Sequence, residues 1–125
     1  MAERVKRASE LDFQDCQPRL LVEVAMYDIK SLGSKLKTIE TSAPEATKAF
    51  WAFDKAAMAP GAIPVKYKEL MAVAVAFTTQ CPYCIQIHAG KAREAGATDH
   101  EIAEVVNVAA ALRAGAAITH GTHAF

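Results

Sequence analysis

Two cysteines three positions apart, Cys81-Pro82-Tyr83-Cys84, are followed four residues later by His88 and preceded on the chain by Glu69. These residue types can do thiol chemistry. A thiol attacks only as the thiolate, and both a helix N-terminus and a nearby imidazole lower its pKa. Pro82 suits the first position of a helix, so the pair is predicted at a helix start. On that helix Cys84 and His88 are neighbours on one face, and a helical side chain leans back over the preceding turn. His88 is therefore expected to reach toward Cys84. A second thiol close by can convert a sulfenic acid into a disulfide before over-oxidation. Glu69, a carboxylate in otherwise apolar surroundings, could orient His88 or take a proton from it.

Other readings compete for the same residues. Cys81, Cys84, His88 and Glu69 would make four zinc ligands, although a structural zinc site more often uses two separated Cys-x-x-Cys knuckles and this chain has one. A lone helix histidine usually satisfies only a polar contact. A lone Glu near a helix start usually complements the dipole. The thiols could also be inert packing. Cys16 reads as an ordinary thiol. His120 and His123, in His120-Gly121-Thr122-His123, read as a solvated tail rather than a metal site. Phe50, Trp51 and Phe53 read as core or interface packing.

The elements that must position the cysteine pair are read as helices. Residues 1–17 are mixed and charged. Pro18 can open a helix carrying Leu21, Val24, Ala25, Leu32, Leu36 and Ile39, with Gly33 a break or end. Ser42-Ala43-Pro44-Glu45 has the form of a capping box. The helix after it presents Ala46, Ala49, Phe50, Phe53 and Ala57 and stops before Pro60-Gly61. The next helix starts near Pro64-Val65 and holds Glu69 and the run Leu70 to Phe77. Its alanines alternating with branched residues favour helix over strand. Apolar on all sides, it should lie at the centre of the fold or at an interface. The cysteine helix runs to about Ala95 and stops at Gly96. Thr98 to Glu101 forms a second capping box, and Ile102, Val105, Val106, Ala109 and Leu112 form an apolar stripe. No stretch sustains strand alternation. The fold class is all-α.

With 125 residues the chain suits a single domain. It is 52% hydrophobic but only 7% aromatic, which is helix-rich core material and favours an oligomer. Fourteen basic residues balance fourteen acidic ones, so a nucleic-acid partner is not expected. No apolar run in the sequence approaches the roughly 20 residues that span a bilayer, and the first residues do not form a signal peptide. The expected compartment is cytoplasmic. Three cysteines do not suit a secreted disulfide scaffold.

Glu69, eleven residues, Cys81, two residues, Cys84, three residues, His88 resembles the signature of the alkylhydroperoxidase D-like proteins of the carboxymuconolactone decarboxylase superfamily. Lys68-Glu69-Leu70, Ala89 to Gly96, Ala97-Thr98 and Glu101-Ile102 agree with it. The resemblance covers about residues 42–118 as a core, leaving 1–41 as an N-terminal helical extension. It implies a compact helical bundle assembled as a trimer or hexamer, and peroxide reduction without a bound cofactor. It also implies that Cys84 attacks the peroxide, that Cys81 resolves it, and that Glu69 and His88 relay the proton. The helix dipole alone favours a thiolate at either cysteine. Better characterised peroxidases of the group carry a histidine where this chain has Tyr83, a poor base at neutral pH. The decarboxylases proper lack the cysteine pair, so lactone decarboxylation is not expected. The partners implied are a peroxide and a thiol or protein reductant. The alternatives are a metal-binding or redox-sensing module using the same cluster, and an oligomeric scaffold with a vestigial site.

Overall fold

A computed structural model describes residues 27–125. Cys16 and the expected helix residues Pro18, Leu21, Val24 and Ala25 lie outside them. Five α-helices follow one another: α1 Ile29–Ser42, α2 Pro44–Met58, α3 Val65–Thr79, α4 Pro82–Glu94 and α5 Asp99–Gly121, with a 3₁₀ turn at Thr122–Ala124. Among the described residues there is no strand, and the fold is all-α. Residues 34–125 form one compact unit, the second of two along the chain.

Helix α3 is the centre of the second unit. It packs most extensively on α4, then on α5, and least on α2. Its buried residues are Glu69, Leu70, Val73 and Ala76. Spacings of one, three and four place these four along one face despite the apolar sequence all round. Leu70, Ala92 and Ala97 form the core cluster, with Ile102 and Val105 of α5 packed against it. Small alanines at these contacts let the helix backbones approach closely. Lys68 fastens the start of α3 to the end of α2, donating from Nζ to the carbonyls of Ala57 at 2.8 Å and Ala59 at 2.6 Å. Those carbonyls have no partner within α2.

Several local expectations fail for identifiable reasons. The first capping box does not form: Ser42 is the last residue of α1, and the N-cap of α2 is Ala43 with no side-chain hydrogen bond. Pro44 occupies the first position of α2, which fixes the cap one residue later than expected. Gly33 does not end α1. A single glycine costs only about 1 kcal/mol in a helix, less than the flanking turns supply. The phenylalanines of α2 are not core: Phe50 and Phe53 are exposed, and Phe50 instead meets Trp51 edge-on at 4.9 Å. Of the α5 stripe, Ala109 is buried while Val106 and Leu112 are exposed.

His120 does not lie in a tail. Helix α5 continues through it to Gly121, because Gly115 is tolerated in an alanine-rich helix. The segment Asp99–Ala124 is also long and apolar enough to cross a membrane by length and composition, contrary to expectation. Its Ile102 and Val105 are packed on the core cluster.

The second capping box does form. Glu101 N–H donates to Thr98 Oγ1 at 3.2 Å, and Thr98 N–H donates to Glu101 Oε2 at 2.8 Å. Glu101 Oε1 accepts from Lys66 Nζ at 2.7 Å, which ties the start of α5 to the start of α3. The pairing raises the Lys66 pKa and lowers that of Glu101. Thr98→Ala is expected to cost about 1 kcal/mol and to lower Tm by about 5 °C. Urea or thermal unfolding measures it, and an unchanged Tm would show that this cap does not contribute.

Candidate active site

Between Thr79, the last residue of α3, and Pro82, the first of α4, stand only Gln80 and Cys81. The reversal needs a left-handed residue, and Gln80 adopts it at φ 56° and ψ 39°. A non-glycine residue there costs roughly 1–3 kcal/mol and persists only where its surroundings hold it. They do here. The amides of Gln80 and Cys81 both donate to Ala76 O, and Arg113 of α5 donates from Nη1 to Thr78 O at 2.8 Å. The orphan carbonyls at the end of α3 are thereby capped from two sides.

Cys81 then becomes the N-cap of α4, in extended conformation, with Pro82 behind it at the first helical position. Its Sγ accepts from the backbone N–H of Cys84 at 3.3 Å. A sulfur in this place meets the positive end of the helix dipole. The Cys81 pKa is lowered, first by the hydrogen bond from the Cys84 side chain and then by that from the Cys84 amide. The Cys84 pKa is raised by the same side-chain hydrogen bond and by burial. Of the two thiols, Cys81 is therefore the one that loses its proton more readily and Cys84 the one that keeps it longer.

Glu69 and His88 meet across the α3–α4 interface. His88 Nδ1 and Glu69 Oε2 are 2.7 Å apart. Glu69 is only 5% exposed, so it does not serve as a solvated first-turn charge. An unpaired carboxylate at that depth would be costly, and the imidazole supplies the compensating contact. With Nδ1 donating to the carboxylate, Nε2 is left as the acceptor. His88 stands one turn beyond Cys84 on α4, and the contact it makes is with Glu69. All three partners lie on two helices that are held by Val73, Ala76 and Ala92 in the packed interior.

The four residues do not gather as metal ligands. Among the described residues no three His, Cys, Asp or Glu side chains are grouped closely enough to hold one ion. The arrangement suits proton transfer: a thiol with a lowered pKa at a helix start, a second thiol beside it with a raised one, and a carboxylate–imidazole pair one turn away. Sequence reasoning missed the roles of Gln80 and Arg113, which carry no local signal. Cys81 as N-cap was readable, since a proline at the first helical position marks the residue before it.

Comparison with known proteins bears on the family and the fold. The model of the carboxymuconolactone decarboxylase family matches residues 44–125. An uncharacterised protein in the cox locus of Paracoccus denitrificans is 45% identical over 101 residues, which are 79% of this chain and 91% of that protein. A crystal structure of a carboxymuconolactone decarboxylase family protein from Legionella pneumophila superposes with a TM-score of 0.63 at 32% identity, covering 67% of this chain and 75% of that one. A Thermotoga maritima member of the same family, whose description suggests a part in the antioxidative response, gives a TM-score of 0.59 at 31% identity over 65% and 69%.

Proposed function

The chain belongs to the carboxymuconolactone decarboxylase family, and within it we propose a cysteine-dependent hydroperoxide reductase of the alkylhydroperoxidase D-like type. The observation that carries this reading is the buried Glu69–His88 pair one helical turn from Cys84. The antioxidative description of the Thermotoga relative supports it.

In the proposed cycle His88 Nε2 takes the Cys84 proton, and Glu69 stabilises the imidazolium. The Cys84 thiolate attacks the distal oxygen of ROOH. The O–O bond breaks, Cys84 becomes the sulfenic acid, and the leaving alkoxide takes the proton from His88 as ROH. The Cys81 pKa is lowered by its hydrogen bonds from Cys84, which eases formation of its thiolate. It attacks the Cys84 sulfur and expels hydroxide, which leaves as water after one proton is added. The products are the Cys81–Cys84 disulfide, ROH and water. A dithiol or protein thiol then returns the two electrons. No step calls on a bound cofactor. Tyr83, where related peroxidases carry a histidine, supplies no base at neutral pH.

The test is peroxide treatment of the reduced protein. The peptide holding Cys81 and Cys84 should lose two hydrogens by mass spectrometry, and a dithiol should sustain turnover. Consumption of Cys16 in their place would overturn the reading. We also propose a homo-oligomer, a hexamer or trimer, in a reducing cytoplasmic setting that keeps the dithiol available. Tyr67, Met71, Val108 and Leu112 are exposed, and the first three line an apolar groove of about 270 Å³ between α3 and α5. Sedimentation at low micromolar concentration should show a trimer or larger. A clean monomer would refute this assembly.

A further inference from the structure

The C-terminal end of α5 places two histidines where the peroxide chemistry has no use for them. Their ring centroids are 5.8 Å apart and their planes are inclined by 64°. Two features of the backbone produce this. His120 is in the last turn of α5, and His123 is inside the 3₁₀ turn Thr122–Ala124 that continues it. Residues three apart are neighbours on an α-helix, and on a 3₁₀ helix they eclipse. The second imidazole is thus held over the first by the chain itself.

We propose that His120 and His123 form a binding site for a divalent first-row transition ion, with Cu²⁺ the tightest. An imidazole nitrogen sits about 2.0–2.1 Å from such an ion, so the ring centroid sits about 3.2 Å from it. Two rings on one ion therefore lie about 4.5 Å apart at the right angle of a square-planar ion, about 5 Å at a tetrahedral angle and about 6 Å when nearly linear. The 5.8 Å separation falls in that range, and the edge-to-face pair closes by about 1 Å through side-chain rotation to chelate Cu²⁺ in its preferred geometry. The site also stands at the carbonyl end of a 23-residue helix, where the macrodipole favours a cation. Both histidines are exposed, so an ion can reach them without a folding change. Two ligands leave coordination positions for water or for the same pair on a second copy. Imidazole ligation selects copper, nickel and zinc over magnesium and calcium, and copper leads the affinity order.

The test is calorimetric titration of the full chain with CuCl₂, its thiols first blocked with iodoacetamide so that sulfur neither binds nor reduces the ion. Electron paramagnetic resonance of the bound Cu²⁺ reads the ligand type. One ion per chain, or one per two chains, is expected, with nitrogen hyperfine structure and micromolar affinity. His120→Ala and His123→Ala should each weaken binding at least tenfold, because one imidazole cannot chelate. His100→Ala, at the other end of α5, should leave it unchanged, and MgCl₂ should give no heat. Both variants are at an exposed helix end, and circular dichroism will show whether α5 is intact. Titration of His120→Ala and His123→Ala indistinguishable from the unsubstituted chain would overturn the site. So would an equal loss in His100→Ala.

Discussion

Cys84→Ser is expected to abolish reaction with peroxide, while Cys81→Ser still reacts once and stops at a sulfenic acid. The two thiols differ in what they lack. Cys81 has the helix N-terminus, the Cys84 amide at 3.3 Å and the hydrogen bond from the Cys84 thiol, so its pKa is lowered and it forms a thiolate more readily than Cys84. Cys84, its pKa raised, stands one turn from the Glu69–His88 pair, so it is the thiol that gains most from a base. A resolving thiol must attack a neighbouring sulfenic acid quickly, and a standing thiolate does that best. The same electrostatics predict the order of alkylation. Iodoacetamide at neutral pH should mark Cys81 first, because its lowered pKa leaves more thiolate there than an ordinary cysteine has. As pH rises through the ordinary thiol range, Cys84 should follow. Dimedone trapping after peroxide reads the first oxidation site directly. A trapped sulfenic acid on Cys81 in the Cys84→Ser protein would reverse the two roles. First alkylation at Cys84 in the unsubstituted protein would instead show that the resting proton is on Cys81.

The helices around the site were legible because local signals agreed there. Pro64 and Pro82 start α3 and α4, Gly96 with φ 89° follows α4, and Thr98 with Glu101 caps α5. The partnership of Glu69 with His88 was one of two readings of Glu69 and was implied by the family resemblance, and the α3–α4 reversal realises it. What the sequence hid depends on contacts distant in the chain. Nothing local marks Gln80 as left-handed: glycine or asparagine would have, and glutamine is held there only by the carbonyl caps from the following turn and from Arg113. Ser42 misled because a capping box is a pattern of side chains, and Pro44 imposed a different start on the backbone. His120 was read as part of a tail because Gly121 stands beside it, while the alanine-rich helix has enough propensity to run on to Gly121.

Glu69→Gln and His88→Ala are each expected to slow Cys84 oxidation about 10²–10⁴-fold at neutral pH, the range for a positioned proton relay. The two substitutions remove different things. Glutamine keeps the shape of Glu69 and can still accept from Nδ1, but it has no charge to stabilise the imidazolium formed when His88 takes the thiol proton. Alanine at 88 removes the base itself. It also leaves Glu69 buried without its partner 2.7 Å away, and an uncompensated buried charge costs about 3–5 kcal/mol unless the carboxyl takes up a proton. His88→Ala should therefore lose stability and rate together, whereas Glu69→Gln should lose mainly rate. That contrast separates relay from packing. Raising the pH should rescue both, since the raised Cys84 pKa is then approached by solvent hydroxide and thiolate forms without the relay. The residues act as one unit, so the Glu69→Gln/His88→Ala double variant should be scarcely slower than His88→Ala alone. Stopped-flow oxidation across pH, alongside urea unfolding, measures all of these quantities. If the rates of the two variants match the unsubstituted protein while His88→Ala is destabilised, the pair is a buried structural contact and Cys84 is activated by other means.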